Sequence, residues 1–459
     1  MKIRMSVHPA LACLTVMMLL ALLAPEPAMA AQKAPGTPER QEAQAAAPAR
    51  DAGGAQDCVQ CHKQVTPAVV TDWSLSKHAQ NDVSCEQCHG GEHTTAEDWK
   101  EATFASPEVC EQCHPDQVSQ YQGGKHAQAW DSVMAMPTTH FQPMALLQGM
   151  EGCTGCHAIG IKDEATADKL REQGVRYGLS SCDACHTRHT FSTREANEPQ
   201  ACRTCHMGFD HPQWEMWESS KHGVRYMLQQ AGAVSKEAAA PKCQTCHMPK
   251  GDHGVMTAWG FLAVRLPLPR DKQWAEDRAT VLKGFGVLDP DGKPTDRLEA
   301  FKAIKVARLT EEDWQRERAK MIEVCSNCHS EHFAREELHK GDEMIRIADN
   351  LLAGSIREVA ALYQDGVLRK PKSYAFAYPD LLTFQDAPTM IEVRLWRMFL
   401  EHRMRTFQGS FHQNPDYTFW YGWSEMVQDR TAISEMAAKM RKERKEQRGD
   451  GQQTGKAGG

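Results

Sequence analysis

The sequence predicts a mainly α-helical protein with little β structure, in which a loop-rich part built on a repeated pentapeptide precedes a C-terminal bundle of long helices. Three observations lead there. Sixteen of the 17 cysteines fall in eight Cys-x-x-Cys-His motifs, starting at Cys58, Cys85, Cys110, Cys153, Cys182, Cys202, Cys243 and Cys325. From about Ala334 the cysteines stop and apolar residues recur at helical spacing. No stretch shows the sustained alternation of a long strand. A length of 459 residues suits two or three domains, and 41% hydrophobic residues with a net charge of −7 exclude both a disordered acidic chain and a basic nucleic-acid binder.

The elements follow in order. Lys2 and Arg4 precede an apolar run from Leu11 to Leu23, and Ala28-Met29-Ala30 offers small residues for cleavage. Residues 1–30 therefore read as a secretory signal peptide, since the run is shorter than the roughly 20 apolar residues a membrane span needs. The mature chain is expected to be soluble and periplasmic. Residues 31–56 are rich in Ala, Pro, Gln and Gly and read as a flexible linker. Residues 57–333 hold all eight motifs.

In Cys-x-x-Cys-His two thiols bond to the vinyl groups of a haem and the adjacent histidine supplies an axial nitrogen to iron. One copy could be a redox dithiol or half a zinc site. Eight copies, with no cysteine left over except Cys13 of the leader, point to eight covalently bound c-type haems. The attaching residues are Cys58, Cys61, Cys85, Cys88, Cys110, Cys113, Cys153, Cys156, Cys182, Cys185, Cys202, Cys205, Cys243, Cys246, Cys325 and Cys328. The proximal ligands are His62, His89, His114, His157, His186, His206, His247 and His329.

Of 21 histidines, eight are proximal and His8 is in the leader. Among the rest, seven stand in short polar or Gly-flanked contexts that suit a distal ligand: His78, His93, His126, His189, His222, His253 and His412. Any one could be an ordinary surface or core histidine. His140, His211, His332, His339 and His402 remain, with His339 and His402 reading as helix-surface residues. Seven distal candidates for eight haems leave room for one open iron. With so many porphyrins in residues 57–333, the core there is expected to be cofactor rather than a conventional apolar interior.

Residues 334–446 form the helical domain. Met344, Ile347, Leu351, Ser355, Val359 and Leu362 mark one helix, Ile391, Leu395, Met398 and His402 a second, and a third runs from about Ser424 to Arg444. This suits a bundle that braces the haem region or mediates oligomerisation. Residues 447–459 read as a disordered tail.

Four stretches carry a resemblance: Glu151-Gly-Cys-Thr-Gly-Cys-His157; Cys182-Asp-Ala-Cys-His-Thr-Arg-His189; Cys202-Arg-Thr-Cys-His-Met-Gly-Phe-Asp210-His211 with Ser220-Lys-His222-Gly; and Cys325-Ser-Asn-Cys-His-Ser-Glu-His-Phe-Ala-Arg335. With the eightfold motif order they resemble the hydroxylamine oxidoreductase family of octahaem cytochromes c, from the first motif to about Met426. The resemblance implies that the fourth haem is catalytic and open on its distal face, with His157 as its one protein ligand. It also implies that Asp210-His211 stands above the open iron and moves protons. The competing reading is that Asp210 merely caps a helix starting near Pro212.

Oxidative members carry a Tyr near the C-terminus that bonds to the catalytic porphyrin of a neighbouring subunit. Aligning on Gly422-Trp423 puts Phe419 there, and aligning on Asn414-Pro415 puts Trp420 there, with Tyr417 and Tyr421 close by. A second family Tyr, after the seventh motif, is replaced by Phe261 or Leu262. Members without the cross-link look like reductases of nitrite and hydroxylamine to ammonium. The alternatives are hydroxylamine oxidation to nitrite or nitric oxide, and a non-enzymatic electron carrier. The resemblance suggests a homotrimer acting on small inorganic nitrogen substrates. Analogy with similar periplasmic reductases suggests a membrane quinol-oxidising cytochrome as electron donor.

Overall fold

Proline and short polar residues start most of the helices around the motifs. The computed structural model describes residues 55–135, 152–175, 177–265, 267–305, 310–383 and 389–454. The leader with His8 and Cys13, nearly all of the linker, and His140 lie outside these residues, as does the side chain of Cys153. Pro67, Pro107 and Pro115 occupy first helical turns, where a missing N–H costs nothing. His114 ends one motif and is already the N-cap of helix Pro115–Gly123. Ser76 caps Lys77–Gln80 by accepting from Ala79 N at 3.1 Å, and so seats His78 on a single turn. Through residue 265 the described helices are short, from three to 11 residues. Among the described residues the extended pairing is confined to one isolated bridge, Leu288–Pro294.

The long helices come later: Lys272–Gly284, Glu311–Ser326, Glu331–Gln364 with 34 residues, Met390–Phe411 interrupted by a π segment at Met398–Arg403, and Glu425–Thr454. The last of these continues ten residues past the expected end at Arg444, into the stretch read as a disordered tail. None of the described helices is long and apolar enough to cross a membrane.

Apolar packing crosses the boundary expected at residue 333. Trp259, Leu262, Val281, Phe285 and Phe301 join Ile345, Leu352, Ile356, Leu395, Phe399, Met426 and Ile433 in one cluster. The bundle therefore draws part of its core from the stretch between the seventh and eighth motifs, and a conventional interior exists where cofactor alone was expected. The buried stripe of helix Glu331–Gln364 is also displaced by one residue in its first half. Ile345, Ala348 and Leu352 are buried where Met344, Ile347 and Leu351 are half-buried. An ideal helix turns 3.6 residues per repeat, so a face drifts along a long helix and both neighbouring positions satisfy the pattern.

His402 corrects a second expectation. It is 1% exposed, inside the π segment, with Nδ1 2.6 Å from Asp429 Oδ2. His339 is exposed. Deeper still, Asp349 lies between Arg278 at 2.5 Å and Arg403 at 2.8 Å, and accepts from Trp274 Nε1 at 2.9 Å. All three charged groups are buried, so they persist in the core only because each is paired.

Candidate multihaem redox site

All eight motif histidines and most of the motif cysteines line one cavity of 2320 Å³. Across it the histidines meet in pairs. Ring centroids are 6.1 Å apart for His62 and His93, 6.2 Å for His89 and His189, and 6.2 Å for His114 and His78. They are 6.3 Å apart for His186 and His253, 6.0 Å for His206 and His126, 6.4 Å for His247 and His412, and 6.2 Å for His329 and His222. Each of the seven distal candidates thus faces a motif histidine, and the motifs concerned are the first to third and the fifth to eighth. An imidazole nitrogen sits about 2 Å from its metal and the ring centroid about 1 Å behind it, so two rings sharing one metal face each other at about 6 Å. The pairs have that spacing.

Other features of the walls fit a bound porphyrin. Trp214 Nε1 and His253 Nδ1 are buried on the cavity wall without a protein partner. Burial lowers His206 to about 3 and His247 to about 4, keeping the neutral imidazole that a metal ligand must be.

Cysteines of different motifs also approach one another. Cys58 acts electrostatically on Cys85, Cys88 feels Cys110, and Cys110 lies close enough to Cys182 for the two to act on each other. Cys185 feels Cys202, Cys202 and Cys243 lie close enough to act on each other, and Cys246 feels Cys325. Cys205 of the sixth motif lies close enough to Cys156 of the fourth for the two to act on each other's charge. The motifs therefore form a contiguous ladder, onto which the fourth joins through the sixth.

The fourth motif has a different setting. Its helix, Gly152–His157, docks on residues 126–130 through Ile161 N to Ala127 O at 2.9 Å and His157 Nδ1 to Ala129 O at 3.2 Å. Gly160 is required there, because a Cβ would run into the Trp130 backbone. His157 is lowered by burial and lies close enough to His211 and Asp210 for both to act on its charge. The loop after the sixth motif delivers that pair. Gly208, at φ +108°, turns the chain back, and His211 Nε2 bonds to Cys205 O at 2.8 Å. Asp210 Oδ1 is 2.5 Å from His211 Nδ1. Burial opposes the charge on His211, but Asp210 and the Cys205 carbonyl hold its pKa above the ordinary imidazole value. The capping alternative fails, because helix Gln213–Glu218 has Pro212 at its N-cap and no side-chain cap bond. Phe261 sets its ring edge-on to His211, with centroids 5.9 Å apart.

Two contributors escaped the sequence reading. Ala129 orients His157 with a backbone carbonyl, which no side-chain pattern reveals. Asp98 bonds to His93 Nδ1 at 2.8 Å while accepting from the Thr95 and Thr94 amides at 2.9 and 3.1 Å. The Thr95 amide first, with its neighbours, holds the Asp98 carboxyl well below the usual carboxylate range. The signal was present as His93-Thr-Thr-x-x-Asp98, a turn in which a carboxylate folds back on its own backbone. Near the C-terminus, Phe419, Trp420 and Tyr421 are all more than half exposed on a π turn, and Tyr417 lies 5.0 Å from Tyr421 ring to ring.

A family model described as seven times multi-haem cytochrome CxxCH matches residues 54–281 and 297–374. The first stretch holds seven motifs and the second holds the eighth. The chain is 24% identical, over 84% of its length, to a probable nitrite reductase–hydroxylamine oxidoreductase fusion protein of Kuenenia stuttgartiensis. It spans about half, 51%, of that relative. A chain of the Kuenenia stuttgartiensis reducing HAO-like protein complex shares the fold, with TM-score 0.62, 23% identity and 86% coverage of both chains. A hypothetical multihaem protein shares it too, with TM-score 0.58, 19% identity, and coverage of 86% of this chain and 96% of its own.

Proposed function

Because this chain belongs to the multihaem cytochrome c family, we propose that it is an exported octahaem reductase that takes nitrite and hydroxylamine to ammonium at its fourth motif. The observation that carries the reading is the pair Asp210-His211 beside His157, with all seven distal candidates facing other motif histidines. Cys153, Cys156 and His157 would hold the catalytic haem, which when bound supplies an iron for substrate and a path for electrons. The name of the Kuenenia relative, a nitrite reductase–hydroxylamine oxidoreductase, agrees with this substrate class.

The protein's own part is proton supply and orientation. Reduction of nitrite consumes protons along with electrons, and a histidine kept protonated by a neighbouring carboxylate is a suitable donor. Asp210 favours the proton on His211, and the Cys205 carbonyl fixes the ring. Phe261 closes one side with an apolar edge where the resembling family carries a Tyr. The Ala129 carbonyl holds the His157 ring so that Nε2 faces away from it. The remaining histidine pairs, seven of them, suit low-reorganisation electron transfer, since an iron held by two strong axial ligands would change charge with little movement, and paired imidazoles avoid the higher potentials of Met ligation. A homotrimer and a quinol-oxidising donor belong to the same proposal.

The test is turnover by the haem-loaded protein with a low-potential artificial donor and nitrite or hydroxylamine, following ammonium. Ammonium formation with one high-spin ferric signal among low-spin ones supports the reading. No consumption of either compound, with every iron low-spin, replaces it with an electron carrier.

A further inference from the structure

We propose that Asp98 is a positioning residue that gives the first motif's haem the lowest potential in the array, making that motif the end from which electrons descend. The inference rests on the first motif binding haem between His62 and His93. It does not depend on what the fourth motif reduces.

An axial histidine has a second ring nitrogen, and the partner of that nitrogen tunes the metal. His89 gives Nδ1 to Thr103 O at 3.2 Å and His412 to Gln408 O at 2.8 Å, while His62 Nδ1 lies 2.7 Å from the Thr66 hydroxyl. These partners are neutral. His93 gives its Nδ1 proton to a carboxylate at 2.8 Å. A charged acceptor makes the imidazole a stronger donor through its far nitrogen, and it adds negative charge beside the metal. Both effects favour the oxidised iron and lower its potential.

Asp98 is built to stay where it is. Besides His93, it accepts from Thr94 N, Thr95 N and the Thr94 hydroxyl at 3.0 Å. The loop 93–98 thus uses its own backbone to aim the carboxylate at the ring. The two side chains retain 22% and 28% exposure, so water weakens the charge without cancelling it.

Position in the ladder gives the potential its meaning. Cys58 of the first motif neighbours Cys85 of the second, and the ladder continues through the third, fifth and sixth motifs to Cys156 of the fourth. An electron leaving the first iron reduces its neighbour, so each step oxidises one site and reduces the next, with the external donor restoring the first.

The experiment is a potentiometric titration of the haem-loaded protein, followed by visible and paramagnetic resonance spectra. His93→Met identifies the first motif's component, because Met ligation moves that component upward. In Asp98→Asn the same component, lowest in the native protein, should shift to higher potential while the others stay in place and all haems remain bound. Asp98→Glu, which keeps the charge, should hold it low. An unmoved component in Asp98→Asn overturns the proposal, as does an equal rise in Asp98→Glu. Loss of the first haem's low-spin signal in Asp98→Asn also overturns it, by showing that Asp98 only folds the loop.

Discussion

His211 is the residue on which the proposed chemistry turns. Its partners are Asp210 at 2.5 Å and the Cys205 carbonyl at 2.8 Å. Its ring also lies 6.5 Å from that of His206, nearly perpendicular to it, but His206 already faces His126 at 6.0 Å and the Nε2 of His211 is turned to the Cys205 carbonyl. Replacing it with Ala should lower nitrite and hydroxylamine turnover by about 10²–10⁴-fold, the usual range for a positioned acid or base, with haem content unchanged by pyridine haemochrome assay. Loss of a haem in that variant would make His211 a ligand instead. The pH dependence has a definite sign. A pKa raised in the folded protein means that the proton is held below that value and lost above it. Turnover should fall as pH climbs through the raised value, and Asp210→Asn should move that alkaline limb to lower pH.

Elements position these residues, and two of them can be tested separately. Helix Gly152–His157 approaches residues 126–130 so closely that Gly160 has no space for a side chain. Gly160→Ala should force these segments apart at a cost of about 1–3 kcal/mol, and turnover should fall while the spectra of the paired haems persist. Full activity in that variant would show that the docking of this helix does not set the site. In the bundle, Asp349 on helix Glu331–Gln364 is paired with both Arg278 and Arg403. Removing one partner of a buried pair leaves uncompensated charge, so Asp349→Ala should cost about 3–5 kcal/mol in denaturant unfolding of the haem-loaded protein. A change within half a kcal/mol would mean that water reaches these arginines.

At the scale of the whole molecule, the direction of catalysis hangs on the turn at residues 417–423. Phe419, Trp420 and Tyr421 project from it into solvent, a suitable place for contact with another subunit. Both sequence registers put a residue other than Tyr at the linking position. The protein should therefore run as a single-chain band under denaturing conditions, and the peptide holding Cys153 and Cys156 should carry haem and nothing else by mass spectrometry. A peptide cross-linked to Tyr417 or Tyr421, or a ladder of covalent oligomers, would reverse the reductive assignment in favour of hydroxylamine oxidation.

The sequence by itself determined the chemistry that is covalent or local. Cys-x-x-Cys-His fixes thioethers and a proximal nitrogen within five residues, and a Gly- or Lys-flanked histidine such as His126 or His222 is recognisable from its neighbours alone. Helix existence was legible for the same reason, since an apolar period is a property of consecutive residues. Tertiary structure decided what depends on residues far apart in the chain. It chose which distal candidate faces which motif histidine, setting His412 against His247 and His78 against His114. It buried His402 against Asp429, although its helix spacing gave no sign of an acidic partner on a later helix. It also carried the apolar core across residue 333, because Phe285 and Phe399 are joined by packing rather than by sequence. Local pattern reports the backbone's periodicity, while partner choice is set by chain crossings whose free energy no short window contains.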